Sequence, residues 1–176
     1  MTGMVAAFVM ALFTMVVAAS RGLGLYTPLY LVTAVVEPGP LEVSQGEAAQ
    51  GWRFYLELGP AVAGMAVNLG IGAVFGALFA LVATVLRLHR VAATAATGAA
   101  YGLVVAALMG LVLLPWSAGE TAGGQVIADA PRLLGWPVFW SGHLLYGLVL
   151  GVLFGLLTFR GAERRPTRPN SPSATL

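Results

Sequence analysis

The sequence predicts an all-α fold: a polytopic membrane protein with four transmembrane helices arranged as two pseudo-repeated helical hairpins. Three observations lead there. The 176-residue chain is 59% hydrophobic and only 9% charged, with a mean hydropathy of +0.87, too little charge to cover the surface of a soluble domain. Four stretches reach the roughly 20 apolar residues that a spanning helix needs. Two of those stretches repeat one pattern of small and large residues at a constant offset.

The first span, about residues 4–20, reads MVAAFVMALFTMVVAAS and stops at Arg21. No basic segment precedes it, so it reads as a retained helix and not as a cleaved signal. An outer loop, 21–59, follows. Within it LYTPLYLVTAVV (25–36) is apolar but too short to span, and is expected to be interfacial or re-entrant. The second span, about 60–86, opens at Pro60 and ends at the RLHR turn (87–90). The third covers about 92–115, a second outer loop 116–137, and the fourth span about 138–159. Residues 1–160 thus make one transmembrane domain. The remainder, 161–176, is polar and proline-rich with nothing to bury, and is expected to be a disordered cytoplasmic tail.

Arginines set the orientation. Arg87, Arg90, Arg160, Arg164, Arg165 and Arg168 fall on one side of these spans; Arg21, Arg53 and Arg132 fall on the other. The acids Glu37, Glu42, Glu47, Glu57, Glu120 and Asp129 share the arginine-poor side. Both termini and the 87–90 turn are therefore expected in the cytoplasm. That places Trp52, Trp116, Trp136 and Trp140 at the outer interface, where amphipathic rings settle.

The repeat lies in NLGIGAVFGALFA (68–80) and HLLYGLVLGVLFG (143–155). Asn68 pairs with His143, Gly72 with Gly147, Gly76 with Gly151, Leu78 with Leu153 and Phe79 with Phe154, and Pro60 and Pro137 stand ahead of the two copies. The second and fourth spans run in the same direction, which implies two hairpins related by a pseudo-twofold along the membrane normal. Span 3 adds its own small-residue stripe, Gly98, Gly102, Ala106 and Gly110. Four-residue spacing stacks glycines on one helix face, so that a neighbouring backbone can come close. Gly72, Gly76, Gly98, Gly102, Gly147, Gly151 and Gly155 are the expected packing residues. The second and fourth spans are expected to form the tightly packed centre, with Phe79 and Phe154 near its cytoplasmic end.

Chemistry has few places to sit. At 1.5 Å per residue, Asn68 lies about 12 Å and His143 about 8 Å below the start of its helix. Thr14 and Ser141 share that layer, and Tyr146 lies one turn beyond His143. An Asn68–His143 hydrogen bond joining two helices would contribute about 0.6–2 kcal/mol. Alternatively Asn68, His143, Ser141 and Tyr146 line a polar pocket, since ionisable residues inside a membrane mark functional sites. Both readings stay open.

Other chemistries fail on inventory. The chain has no cysteine, and no lysine occurs for a retinal Schiff base. A bis-histidine haem needs two histidines at one depth, whereas His89 belongs to the cytoplasmic turn and His143 to the outer half. No span carries the carboxylate that proton-coupled export requires. No catalytic residue, metal site or cofactor is therefore expected, and the net charge of +2 points to no nucleic acid.

The second and fourth spans, NLGIGAVFGALFALV and HLLYGLVLGVLFG, resemble the small four-span bacterial membrane proteins typified by YagU. The resemblance covers about 5–19, 60–86 and 95–159, with Asn68 standing where that family would favour histidine. It implies the four-helix fold and a bacterial inner-membrane address, and no reaction. The expected function is a non-enzymatic structural or accessory subunit, in a homo-oligomer or larger membrane complex and in contact with lipid. The alternative is a small transporter or channel built on Asn68 and His143. A third reading is an enzyme or lipid-binding protein acting at the outer interface through 37–59.

Overall fold

A computed structural model describes residues 1–120 and 124–163 of the chain. Four helices are long and apolar enough to cross a membrane: Thr2–Ser20, Leu58–Val85, Val91–Gly119 and Trp136–Phe159. In chain order the elements are α1 (Thr2–Ser20), α2 (Thr27–Thr33), α3 (Gly39–Ala49), α4 (Leu58–Val85), α5 (Val91–Leu108), a π-helical turn (Met109–Leu113), α6 (Leu114–Glu120), α7 (Gly124–Ala128), α8 (Ala130–Leu134) and α9 (Trp136–Glu163). There is no strand among the described residues. Of the expected tail, 161–163 continue α9 and 164–176 lie outside the described residues.

Helix ends follow local rules. At the end of α1, Leu23 N–H bonds Ala18 O at 2.9 Å and Gly22 N–H bonds Ala19 O at 3.3 Å. This 6→1 and 5→2 pair needs a left-handed residue, which Gly22 supplies at φ 85°. The end of α3 repeats the device with Gly51 at φ 94°. The end of α4 uses it too, but there the left-handed position is Arg87, at φ 49°. In the third span, Pro115 has no N–H to offer the preceding turn. The helix loosens just before it, with Leu114 N–H reaching back five residues to Met109 O.

The long helices lie side by side in the order α4, α1, α9, α5, and α4 and α5 scarcely touch. Two seams of close backbone approach hold this row. On α1 and α4, a methyl at Gly3 would strike Gly72 O and one at Gly72 would strike Ala7 Cβ. On α5 and α9, Gly98 and Gly102 face Gly147, Gly151 and the His143 carbonyl, while Gly155 faces Thr94. Such approach substitutes dispersion and Cα–H···O contacts for the hydrophobic effect that lipid removes.

The expected tight contact between the second and fourth spans is thus corrected: glycines of α4 close on α1, and glycines of α9 close on α5. The neighbouring stripe of α9 explains why. Tyr146, Leu150 and Phe154 face α4 with full-sized side chains: Tyr146 O–H donates to Gly72 O at 2.9 Å, and Leu150 Cδ1 lies 3.7 Å from a Cβ built on Gly76. The Phe154 ring meets Phe79 edge-on, 5.8 Å between centroids. Antiparallel pairs such as α1–α4 and α5–α9 also set their helix dipoles in the favourable sense.

Residues 25–36 form neither a span nor a loose surface strip. Thr27, Pro28, Leu29, Tyr30 and Leu31 of α2 are all buried. A methyl on Gly64 would strike the Leu29 carbonyl, so α2 sits beside α4 about 9 Å in from its start. Met15, Ala18, Leu29, Tyr30, Leu41, Ala61 and Leu134 make the core of this loop-bearing end. The fully buried hydroxyls of Thr27 and Ser44 bond each other at 3.1 Å. A second core, with Ala6, Phe79, Ala83, Tyr146 and Leu150, fills the bundle toward the Arg87 turn. Outward faces remain apolar: Val62, Val74, Leu81 and Val85 on α4 are each more than 60% exposed, as a lipid-facing surface requires.

Candidate functional site

Because α4 and α5 touch so little, the row of helices encloses a space in its loop-bearing half. Near the Arg87 turn they are bridged by Tyr101, whose O–H donates to Phe75 O at 2.8 Å while its ring packs on Phe79. Beyond this bridge they separate. There a cavity of about 310 Å³ is lined by α1, α2, α4, α7, α8, α9 and the third span. Its roof is α2, with Leu134 of α8 and Ile127 of α7; Met109, at the π-helical turn, contributes to the wall. The volume is at the small end of the range for ligand pockets, and the mostly apolar wall with few polar groups is their usual make-up.

Four polar side chains line it: Thr14, Asn68, His143 and Tyr146. Thr14 O–H donates to Ala11 O one turn back at 2.9 Å. Asn68 Nδ2 donates to Ala7 O of α1 at 3.1 Å. His143 places Nδ1 2.9 Å from Phe139 O within its own helix and packs its ring 4.4 Å from that of Phe139. Tyr146 is tied to α4 through Gly72 O, as above. No charged side chain lines the cavity.

Sequence reasoning therefore named three lining residues together, Asn68, His143 and Tyr146, and placed Thr14 in their layer. It did not place Ser141, which bonds Val138 O at 3.1 Å and is absent from the wall. Nor do Asn68 and His143 bond each other: one is held by α1 and the other by its own helix. Two antiparallel seams put α1 against α4 and α5 against α9, so these side chains share a space without meeting.

Several lining elements had no readable signal. The roof residues Leu29, Ile127 and Leu134 belong to segments that read as loop. Tyr101 sits in an unremarkable alanine-rich run, and only its position one residue before Gly102 hints at a face turned inward. Pro115 was the visible cue to the irregular turn that carries Met109.

The fold and the site define a helical membrane-spanning chain with an enclosed, largely apolar cavity. No protein-family model, no curated protein and no solved structure matches it.

Proposed function

We propose that this chain is a small membrane transporter or binding protein that takes a membrane-soluble small molecule into the cavity between its spans. One observation carries the reading: a cavity of about 310 Å³ bounded by all four spans, with Asn68, His143 and Tyr146 in its wall. A structural or accessory subunit was the other expectation, and its motive was an abundance of glycine faces for helix association. Those faces are occupied within the chain, at Gly3–Gly72 and Gly98–Gly147, so they offer no surface to a partner subunit. No catalytic role is assigned.

The placement that goes with this function is a bacterial inner membrane, with both termini and the 87–90 turn in the cytoplasm and the α2–α3 end outward. The arginine asymmetry and the four tryptophans at the loop-bearing end support it. We also read the two hairpins as copies, since Gly72 and Gly147, and Gly76 and Gly151, each close on the other helix of their own hairpin. The copies then diverge where α4 and α5 part, and the cavity occupies that divergence.

Native mass spectrometry on the chain extracted in mild detergent tests the function. A bound small molecule is expected, and Val105→Trp, which fills the cavity from α5, is expected to expel it while the helices stay folded. A chain that carries no small molecule, gains no stability from any lipid extract and moves no solute in vesicles would refute the proposal. The missing cysteine makes the orientation easy to check: a cysteine at Gly46 should react with an impermeant maleimide from outside, and one at His89 should not.

A further inference from the structure

The hydrogen-bond inventory of the cavity wall says what its occupant must offer. Every assignment follows from the rule that a carbonyl oxygen only accepts. Phe139 O accepts from His143, so the ring proton sits on Nδ1 and Nε2 carries a lone pair. Nε2 has no protein partner among the described residues, yet it is not sealed from access. The side chain is 94% buried by its 6% exposure, and the space it borders is the cavity. Thr14 and Tyr146 have likewise given their only protons to Ala11 O and Gly72 O, which leaves oxygen lone pairs. Asn68 has given one N–H to Ala7 O, and keeps Oδ1 and a single N–H. The wall thus presents four acceptors against one donor.

Charge narrows the class further. No acid lines the cavity to hold an ammonium group, and no arginine lines it to hold a carboxylate or phosphate. A route from the bilayer exists as well: Val67 and Ile71 of α4 border the cavity and are 48% and 40% exposed on the outer face of the bundle. We infer that the occupant is a neutral, membrane-dissolved molecule with an apolar body and a hydroxyl head, whose O–H donates to His143 Nε2. Ethers, ketones and acids of the same shape leave Nε2 unpaired. This rests on the cavity being a ligand site, and it adds the chemical class.

The test uses farnesol and farnesyl methyl ether, which share a chain and differ in the donor proton. Tritiated farnesol is bound to the intact protein in nanodiscs and competed with either unlabelled compound. Farnesol should displace the label at about one-fifth to one-tenth of the ether concentration, and His143→Phe should bring that ratio close to one. Because the ratio is compared between protein variants, a difference in bilayer partitioning cancels. Equal competition on the unaltered chain would overturn the hydroxyl assignment while leaving an apolar ligand site in place. A preference that survives His143→Phe would overturn the role of Nε2. Failure of either compound to bind saturably, together with an empty cavity in native mass spectrometry, would instead remove the ligand-site reading itself. Should His143→Phe not fold, the alcohol–ether comparison on the unaltered chain still decides the class.

Discussion

Gly147→Ala probes how the helices are held together. A Cβ at 147 would strike Gly98 O and stand 2.8 Å from Gly102 N and 2.9 Å from Gly102 Cα. Every one of these neighbours is backbone, so no rotamer change relieves the contact. Carbon atoms pack at about 3.5–4.0 Å, so α5 and α9 must part by about 0.6–1 Å. Overpacking of this kind costs about 1–3 kcal/mol. The upper part of that range applies here, because the separation also loosens contacts at Gly98, Gly102 and Gly151. Gly70→Ala is the control. Gly70 is exposed on α4 with nothing within 4 Å of a built Cβ, so the same change only removes a helix-interior glycine and should stabilise by about 0.5–1 kcal/mol. Reversible unfolding in mixed detergent micelles, followed by helical circular dichroism, measures both. The pair should move in opposite directions. A Gly147→Ala protein within about 0.5 kcal/mol of the parent would refute close backbone approach as the means by which α5 and α9 pack.

Three further outcomes are expected. Arg87 occupies a left-handed position at φ 49°, where a side chain costs about 1–2 kcal/mol, so Arg87→Gly should raise the unfolding midpoint in the same assay. Thr27→Val keeps the shape of a fully buried residue but strands the Ser44 hydroxyl 3.1 Å away. It should cost about 1–3 kcal/mol, most of it recovered when Ser44→Ala is added, as a double-mutant cycle would show. Burial raises the pKa of Tyr30 above the ordinary 10.0, an effect partly offset by the Glu57 amide that donates to its oxygen at 2.8 Å. The folded pKa exceeds the unfolded one, so this stabilisation is complete below pH 10 and is lost as pH rises through the folded value. Tyr30→Phe should flatten the alkaline fall in stability, and an ultraviolet titration should lose its late-ionising tyrosine.

Much of the architecture was legible because a bilayer leaves few choices. Spans must be helices of a certain length, and the apolar runs ending at Arg21, Arg87 and Pro137 bound three of them. Partner choice was not legible. Gly147 and Tyr146 are adjacent in sequence but serve different interfaces, and periodicity alone does not say which stripe meets which helix. The same gap hid the relation between Asn68 and His143. Matching positions in a repeat suggested a direct bond, whereas the backbone gave each its own partner, Ala7 O and Phe139 O. The roof was the least legible part, since α2 is only seven residues long and gains its helical form from burial against α1 and α4, not from its own propensity.

The distribution of contacts suggests where this molecule yields. Within each hairpin the helices touch through backbone, at Gly3–Gly72 and Gly98–Gly147, and such surfaces have one good fit and steep repulsion on either side of it. Between the hairpins the junctions are made by side chains: Tyr146 on Gly72 O, Tyr101 on Phe75 O, and Phe154 on Phe79. A side-chain junction can shift by a rotamer or one hydrogen bond, each costing on the order of 1 kcal/mol, whereas a seam cannot open without losing its contacts together. Relative movement of two stiff hairpins is therefore the low-energy deformation, and the cavity lies on the line along which they would part. Tyr101→Phe removes one junction and touches neither seam. It should speed exchange of the cavity occupant with the bilayer and lower stability by no more than about 1 kcal/mol. Exchange that stays as slow as in the parent would mean that the hairpins move as one body.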